Sequence, residues 1–222
     1  MERIVVAIMA KAPRVGEVKT RLCPPLSPPE AAALYRGFLL DKIEQVRGLR
    51  EISPAVAYTP PDGRTVFEQL APEFTLVPQR GGDLGSRLAN SFDLLLAKGY
   101  AGALAIDSDT PTLPTWHLQE ASRLIARPEI DVVLGPAEDG GYYLIGLRNL
   151  HRDLFEDMAW STARILPETI RRAEAKGLTV ACVPPWFDVD TPEDLERLKA
   201  SLGSVEEPLA RHTRHFFRER AR

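Results

Sequence analysis

The stretch Leu-Ala-Ile-Asp-Ser-Asp-Thr-Pro at positions 104–111 carries the strongest structural signal in the chain. A short apolar run there ends abruptly in two carboxylates, which is typical of a buried strand whose carboxyl end opens on a ligand site. Further short apolar runs alternate with helical patterns on both sides of this stretch, as expected when a sheet is covered by helices. We therefore predict an α/β fold, with strands at residues 4–10, 55–58, 75–78, 103–106, 131–135, 142–147 and 178–183.

Two helix starts are visible in the sequence. Ser27 is followed by two prolines and Glu30, the pattern of a capping box with proline in the first turn. Thr191, Pro192 and Glu193 open another helix in the same manner. Further helices are predicted at residues 84–97, 116–126 and 162–176. The basic stretch from about residue 204 to 222 is expected to be a helix lying on the domain or a loose tail.

The composition argues against several classes of protein. A formal net charge of −3 gives no sign of a nucleic-acid partner or of an anionic membrane partner. No segment approaches the roughly 20 apolar residues that a membrane span requires. The two cysteines match no metal-ligand spacing, and Cys182 lies in an apolar run where a buried, reduced thiol is expected. We therefore expect a cytoplasmic protein.

The loop after the first predicted strand is rich in cations. Lys11, Arg14, Lys19 and Arg21 lie within eleven residues, together with Gly16, which allows a tight turn. Cations fixed in such a loop can bind a triphosphate and offset charge on a pyrophosphate leaving group. A solvated basic loop is the alternative. Ligands of this architecture bind beyond the carboxyl ends of the strands, and that position favours phosphate binding.

A glycine-rich turn, Gly-Gly-Asp-Leu-Gly at positions 81–85, follows the third predicted strand. It matches neither a P-loop nor a dinucleotide-binding fingerprint. Two interpretations stay open for it. It is either an ordinary turn that starts a helix, or a loop in which Gly82, Asp83 and Gly85 approach a nucleotide closely.

The sharpest functional signal is the pair of carboxylates after the fourth predicted strand. Strand alternation aims Asp107 and Asp109 to the same side, so that both can face one Mg²⁺ or Mn²⁺ ion. Alternatively, Asp109 only caps the helix beyond Pro111. Asp190 supports the metal site, because it follows the last predicted strand and Thr191 alone can cap the next helix. The predicted metal ligands are therefore Asp107, Asp109 and Asp190.

The loop between the fifth and sixth predicted strands is the candidate acceptor site. Its carboxylates and paired glycines suit a hairpin-like connection, or a wall that binds the acceptor through backbone N–H groups and either Tyr142 or Tyr143. Trp-Ser-Thr at 160–162 is a candidate lip of this wall, although the tryptophan equally suits the core. The predicted acceptor-binding residues are Glu138, Asp139, Gly140, Gly141, Tyr142, Trp160, Ser161 and Thr162.

Together these motifs resemble a bacterial family of unknown function that has the glycosyltransferase-A fold of the nucleotide-diphospho-sugar transferases. Its members are often labelled glycosyltransferases, and some lie beside arsenosugar biosynthesis genes. The resemblance covers nearly the whole chain up to about residue 202. It rests on six motifs in order, at positions 19–22, 82–85, 107–111, 135–146, 160–162 and 188–195.

Two of the motifs also resemble the phospholactate and molybdenum-cofactor guanylyltransferases of the same fold. Their Asp-x-Pro matches positions 109–111, and their late Asp-x-Asp-Thr-Pro matches positions 188–192. This similarity implies that Asp109 and Asp190 are metal ligands and that Lys19 and Arg21 contact phosphates. The first loop lacks the Gly-Gly-x-Ser-x-Arg-Met-Gly motif of the molybdenum-cofactor enzymes, so the resemblance does not name the base.

We expect a three-layer α/β/α sandwich with a mostly parallel sheet. Residues 1–203 are predicted to form a nucleotide-binding transferase domain, and residues 204–222 a basic C-terminal helix or tail. The favoured activity is metal-dependent nucleotidyl transfer from a nucleoside triphosphate to a small-molecule acceptor, with Lys19 and Arg21 stabilising the pyrophosphate that leaves.

Two other functions stay open. Glycosyl transfer from a nucleotide-sugar, with Asp139 as the base, is the main alternative, and a nucleotide-binding module without catalysis is a lesser one. The expected partners are a nucleotide and an acceptor, without nucleic acid or membrane, and a homodimer is left open.

Overall fold

Seven strands and seven α-helices are found in residues 3–203 and 209–220, which the computed structural model describes. The strands are β1 (Ile4–Lys11), β2 (Ile52–Thr59), β3 (Thr75–Pro78), β4 (Gly102–Ile106), β5 (Val132–Pro136), β6 (Tyr142–Leu147) and β7 (Val180–Cys182). The helices are α1 (Pro28–Arg47), α2 (Arg64–Leu70), α3 (Leu84–Leu96), α4 (Thr115–Ile125), α5 (Ile165–Ala175), α6 (Pro192–Leu202) and α7 (Arg211–Arg220). Among these helices, none combines the length and the apolar character needed to cross a membrane.

The strands form one sheet in the order β3-β2-β1-β4-β6-β5-β7. Of the described strands, only β6 runs antiparallel to its neighbours, so the predicted mostly parallel sheet is confirmed. The chain adds β2 and β3 on one side of β1 and then crosses over to add β4 on the other side. This reversal creates a crevice at the carboxyl ends of β1 and β4, where open α/β sheets bind ligands.

Each face of the sheet is covered by its own helices. Successive residues of β1 point to opposite faces, so Val6 and Ile8 pack with α1, α4 and α6, whereas Val5 and Ala7 pack with α3 and α5. Both faces of the central strands are therefore apolar, which explains the continuous apolar runs in the sequence. The three-layer α/β/α sandwich is confirmed.

The capping patterns locate the two helix starts correctly. The Ser27 hydroxyl accepts a hydrogen bond from Glu30 N, and the Glu30 carboxylate accepts one from Ser27 N at 2.7 Å, at the start of α1. Thr191 and Asp194 form the same reciprocal pair at the start of α6. Helix α2 is absent from the predictions, since its seven residues begin after Gly63 without a side-chain cap.

Cys182 is exposed, and the prediction that it is buried was wrong. Strand β7 has three residues and lies at the edge of the sheet, where β5 is its neighbour. One side of an edge strand has no further strand to pack beside it, so an apolar sequence there does not guarantee burial.

The basic C-terminal residues 211–220 form helix α7, which packs against α1. Asp41 of α1 accepts hydrogen bonds from His212 N at 2.7 Å, from Thr213 N at 2.9 Å and from Thr213 Oγ1 at 2.6 Å. These contacts fasten the first turn of α7, whose N–H groups need acceptors from outside the helix. Residues 204–208 and 221–222 of the predicted tail lie outside the described residues.

Candidate active site at the carboxyl edge of the sheet

Three loops meet at the crevice between β1 and β4. The first follows β1, the second follows β4 at Asp107, and the third leads from β7 to α6. The second and third loops are tied together, because Val189 N donates a hydrogen bond to Asp109 O at 3.1 Å. Parallel strands bring their carboxyl ends to one edge of the sheet, so residues far apart in sequence become neighbours here.

The ammonium of Lys19 lies between two of the predicted metal ligands. Its Nζ is 2.9 Å from Asp109 Oδ1 and 2.7 Å from Asp190 Oδ1, and its side chain is only 5% exposed. Burial alone would lower the pKa of Lys19, but the attraction of Asp109 and Asp190 outweighs it and raises the pKa. The Lys19 ammonium therefore stays protonated and carries a positive charge. Its backbone is left-handed (φ 48°, ψ 36°), which is uncommon for a residue with a side chain.

Asp109 is not fully satisfied by this contact. The Lys19 ammonium lies 2.9 Å from Asp109 Oδ1 as an ion pair, but no described residue makes a hydrogen bond to this buried oxygen. Burial raises the pKa of Asp109, the nearby Lys19 charge opposes the rise, and Asp190 adds to it. A buried carboxylate oxygen with this deficit is a suitable ligand for a hard cation.

Asp107 is linked to a buried lysine that was not predicted from the sequence. Lys42 of α1 is 1% exposed, and its Nζ donates to Gln45 Oε1 at 2.9 Å and to both Thr110 O and Thr110 Oγ1 at 3.0 Å. Thr110 Oγ1 in turn donates to Asp107 Oδ1 at 2.7 Å. Burial raises the pKa of Asp107, although the charge of Lys42 opposes this, and burial lowers the pKa of Lys42.

A signal for Lys42 was present in the sequence. The residue lies three positions after Leu39 and four before Val46, on the apolar face of α1, where a lysine is unusual unless it has buried partners.

Asp188 also belongs to this site, although the sequence analysis used it only as part of a motif. Burial first, and then the charges of Asp190 and Asp139, raise its pKa to about 6. With Asp107, Asp109 and Asp190 it makes four partly buried aspartates around two buried lysines.

The described residues contain no group of three Asp, Glu, His or Cys side chains that could hold a metal ion by themselves. The predicted triad of Asp107, Asp109 and Asp190 is thus not assembled as a ready cage, since Lys19 separates Asp109 from Asp190. Mg²⁺ in nucleotide enzymes is commonly bound by one or two carboxylates, with waters and substrate phosphates completing the shell. The carboxylates of Asp109 and Asp190, which line one cavity, fit that kind of site.

The cations of the first loop differ in what they can reach. Lys11, Lys19 and Arg21 line a cavity of about 250 Å³ together with Asp109 and Asp190. Lys11 donates to Glu17 O at 2.7 Å. Arg21 is 73% exposed, and its guanidinium is 4.0 Å from Asp190 Oδ2.

Two further residues of this loop take other positions. Arg14 is paired at 2.7 Å with Asp62 and is not among the residues that line the cavity. Gly16 has a positive φ of 78°, which explains the glycine at that turn.

The glycine-rich turn is not part of this cavity. The Asp83 carboxylate caps α3 by accepting from Ser86 N at 2.7 Å, as the helix-initiating interpretation predicts. A Cβ on Gly85 would lie 2.3 Å from Phe155 O and 2.8 Å from the Trp160 ring, so this glycine permits close packing. Asp83 and Gly85 line a second cavity of about 360 Å³. Gly82 has open space around it.

The carboxylates of the predicted acceptor wall lie in a hairpin between antiparallel β5 and β6, as the first interpretation proposed. Glu138 is engaged by Arg197 through contacts of 2.5 and 2.9 Å. Asp139 is exposed and accepts from Gly141 N at 2.8 Å. Gly140 has φ 92°, and a Cβ there would meet Ala163 at 2.5 Å.

The aromatic residues of the predicted wall are partly or fully buried. The hydroxyl of Tyr142 and the indole N–H of Trp160 are buried without hydrogen-bond partners in the described part of the chain. Tyr143, also considered for substrate contact, is buried and donates to Pro184 O at 2.8 Å. Trp160 packs on Gly85, which supports the core interpretation, while Ser161 has φ 63° and Thr162 Oγ1 donates to Ala159 O.

Comparisons with known proteins support the fold. A family model described as uncharacterized protein conserved in bacteria (DUF2064) matches residues 42–162. A protein from Desulfovibrio desulfuricans, provisionally named a nucleotide-diphospho-sugar transferase, has a solved structure that matches with a TM-score of 0.89 and 31% sequence identity, over 99% of this chain and 95% of that one. A comparison of the sequence with curated proteins found no match.

Two more distant solved structures share the fold. One is CMP:2-keto-3-deoxy-manno-octonic acid synthetase complexed with CTP, with a TM-score of 0.56 and 13% identity over 91% of this chain and 99% of that one. The other is glucosyl-3-phosphoglycerate synthase from Mycobacterium tuberculosis in complex with Mn²⁺, uridine diphosphate and glucosyl-3-phosphoglycerate. Its TM-score is 0.53 at 14% identity, over 90% of this chain and 75% of that one. The predicted nucleotide-diphospho-sugar transferase fold is confirmed.

Proposed function

Because the chain belongs to the bacterial family described as uncharacterized protein conserved in bacteria (DUF2064) and has the nucleotide-diphospho-sugar transferase fold, we propose that it is a metal-dependent nucleotidyltransferase. Its substrates are a nucleoside triphosphate and a small acceptor that carries a phosphate or a hydroxyl group. The acceptor oxygen forms a bond to the α-phosphorus, the bond between the α-phosphorus and the bridging oxygen breaks, and pyrophosphate leaves with that oxygen.

One observation carries this proposal. A buried cation, Lys19, and two carboxylates, Asp109 and Asp190, converge from three loops on the crevice where this fold binds ligands. A triphosphate needs positive charge for its phosphates and carboxylates for its accompanying cation, and both are present here. Lys11 and Arg21 extend the positive charge along the same cavity.

Asp109 and Asp190 are the carboxylates that would hold Mg²⁺ or Mn²⁺, and Asp107 is proposed as the third. The Asp107 oxygen that accepts from Thr110 is already engaged. When bound, such an ion supplies charge neutralisation for the phosphate oxygens of the nucleotide. Lys19 and Arg21 then stabilise the negative charge that grows on the departing pyrophosphate.

The acceptor is proposed to bind along the hairpin between β5 and β6. Asp139 is exposed there, and its charge is felt by Asp188, so it lies near the acidic site. The other proposed acceptor-binding residues are Glu138, Gly140, Gly141 and Tyr142 of this hairpin and Trp160, Ser161 and Thr162, whose segment meets Gly140 at Ala163. The cytoplasmic location and the homodimer stay predictions of the sequence.

Glycosyl transfer from a nucleotide-sugar is the second candidate function. The name given to the Desulfovibrio desulfuricans protein favours it. Asp139 would then be the base that takes the proton from the acceptor hydroxyl, and a nucleoside diphosphate would leave. A binding module without turnover is the third candidate, and the buried Lys19 beside an unsatisfied Asp109 speaks against it.

The two reactions release different phosphorus compounds. We would incubate the protein and Mg²⁺ with nucleoside triphosphates or nucleotide-sugars, add phosphorylated and hydroxyl acceptors, and follow the products by ³¹P NMR. Nucleotidyl transfer gives acceptor-dependent pyrophosphate. Acceptor-dependent nucleoside diphosphate from a nucleotide-sugar, without pyrophosphate from any triphosphate, would replace the proposal with glycosyl transfer.

A variant of the first loop gives an independent check. Lys19→Ala should lower kcat by about 10²–10³-fold, because the interaction with the leaving group is strongest in the transition state. Lys98→Ala removes the same charge from an exposed lysine outside the site and should leave kcat unchanged. A Lys19→Ala variant that raised KM alone would show that the lysine binds substrate without assisting departure of pyrophosphate.

A further inference from the structure

Lys19 uses the same oxygen atoms that a metal ion would need. Its ammonium is 2.9 Å from Asp109 Oδ1 and 2.7 Å from Asp190 Oδ1, and the contact with Asp190 has hydrogen-bond geometry. The side chain is almost completely buried, so little solvent screens its charge. The space between the two carboxylates therefore already contains a cation.

A divalent ion cannot simply be added to this arrangement. An ion held by the same oxygens would lie within a few ångströms of the ammonium, as estimated from ordinary contact distances, where two positive charges repel strongly in a poorly screened site. Moving Lys19 away without a new partner would leave a buried ammonium unpaired, which is costly. The ion must therefore bind the two carboxylates in the same event in which the Lys19 ammonium gains another anionic partner.

The cavity beside Lys19 offers room for such a partner. It has a volume of about 250 Å³ and is lined by Lys11 and Arg21 as well as by Lys19 itself. Three cations around one cavity suit the oxygens of a polyphosphate. An anion placed there would neutralise the ammonium as it leaves Asp109 and Asp190.

We propose that Lys19 is the resident counter-ion of the metal site, and that a divalent cation displaces it only when phosphate oxygens are present to receive the ammonium. Metal and nucleotide then bind together, and free metal binds the empty protein weakly. This inference rests on the proposed function, because it takes the Asp109–Asp190 site as the place where the metal of the nucleotide binds.

Arg21 provides a matched control. It carries the same charge, lies in the same loop and is 4.0 Å from Asp190 Oδ2, but its side chain is 73% exposed. Removing it changes the net charge of the site as much as removing Lys19 does. It does not vacate the space between the two carboxylates.

The experiment measures the binding of Mn²⁺ alone, by the loss of its free electron paramagnetic resonance signal, to the wild-type protein, Lys19→Met and Arg21→Met. We expect Lys19→Met to bind Mn²⁺ at least about tenfold more tightly than the wild type, since a buried competing charge has been removed. Arg21→Met should change the affinity by no more than about threefold, since solvent and salt screen an exposed charge. Equal gains for the two variants, or no gain for Lys19→Met, would overturn the inference.

A second measurement uses the wild-type protein and so does not depend on the folding of Lys19→Met. Thermal melts are recorded with Mn²⁺, with inorganic tripolyphosphate and with both. We expect the two together to raise Tm by more than the sum of their separate shifts, because ligands that bind cooperatively stabilise the native state more than additively. A full shift with Mn²⁺ alone contradicts the inference.

These measurements distinguish a failure of the proposed metal site from a failure of the inference about Lys19. If Mn²⁺ binds neither the wild type with tripolyphosphate nor Lys19→Met alone, the metal site of the proposed function is wrong and the inference is overturned with it. If the wild type binds Mn²⁺ with tripolyphosphate but Lys19→Met gains nothing, only the inference about Lys19 is overturned.

Discussion

The ammonium of Lys42 donates a hydrogen bond to Thr110 Oγ1 at 3.0 Å, from α1 to the loop that follows β4. Since the hydroxyl of Thr110 accepts from the lysine, its own hydrogen is free to be donated to Asp107, which it contacts at 2.7 Å. Lys42 thereby fixes the orientation of an aspartate that it does not itself hydrogen-bond. All three ammonium hydrogens have acceptors, so the buried charge is fully satisfied.

Lys42→Met should therefore be strongly destabilising. The substitution removes one partner from a buried polar network and leaves Asp107 without its nearby counter-charge, a change that typically costs about 3–5 kcal/mol. Urea unfolding followed by circular dichroism measures the loss in the free energy of unfolding. Lys98→Met, at an exposed position, should change it by no more than about 0.5 kcal/mol. Equal effects of the two substitutions would show that the Lys42 network contributes nothing.

Asp109→Asn should abolish the metal-dependent stabilisation by nucleotide. The substitution keeps the size of the side chain but removes the charge and replaces one carboxylate oxygen by an NH2 group, which cannot bind a cation. Melting curves with nucleoside triphosphates and Mg²⁺ report binding, because a ligand of the native state raises Tm. Asp153→Asn is the control, since Asp153 is paired with Lys176 outside the site. A full shift in Asp109→Asn would remove the central assignment of the metal site.

Gly85→Ala and Gly82→Ala separate packing from nucleotide binding in the glycine-rich turn. A Cβ on Gly85 would collide with Phe155 O and the Trp160 ring, so we expect a loss of about 1–3 kcal/mol and a change in tryptophan fluorescence. Gly82 has nothing within 4 Å of an added Cβ, and its substitution should be nearly neutral for stability. Loss of nucleotide binding by a stable Gly82→Ala variant would restore the second interpretation of this turn.

Thr213→Val should weaken the attachment of α7 to α1. The valine has the same shape but cannot donate to the buried Asp41, whose carboxylate loses a hydrogen bond of 2.6 Å, at a cost of about 1–3 kcal/mol. Thr65→Val, at an exposed position of α2, serves as the control in thermal melts.

Removal of all residues after Leu202 should lower Tm further than Thr213→Val does, and the truncated protein should still bind nucleotide. A truncated protein that stays folded but no longer binds would contradict the second statement.

Asp188 should make stability fall as the pH rises from about 4 to 6 in the absence of metal. The pKa of Asp188 is raised from 3.8 in the unfolded chain to about 6 in the folded protein. Between these two values the native state binds more protons than the unfolded state, so the free energy of unfolding falls as the pH rises. Asp188→Asn should remove this part of the pH dependence. At pH 7.5 the variant should melt about 2–4 °C higher than the wild type, the shift expected for about 1 kcal/mol. A variant with an unchanged pH profile would disprove the assignment.

Local sequence patterns determined the fold class of this protein. Apolar runs that need burial on both faces located the seven strands, and side chains able to satisfy the first N–H groups of a helix located the starts of α1 and α6. The same patterns placed the loops that carry Lys19, Asp109 and Asp190 at one edge of the sheet, because residues that follow strands of a parallel sheet gather at one edge. These features depend on a few neighbouring residues and on one general rule of architecture.

Tertiary structure alone decided how those residues are used. Lys19 and Asp190 are 171 positions apart. Because β4, β6 and β5 lie between β1 and β7 in the sheet, their contact depends on the loop from β7 to α6, which returns to the crevice. The packing of Trp160 on Gly85 and the hydrogen bond from Lys42 to Thr110 are likewise contacts between separate elements. The exposure of Cys182 follows from the edge position of β7. Local patterns specify which side chains must be buried or paired, whereas the packing of distant elements selects the partner.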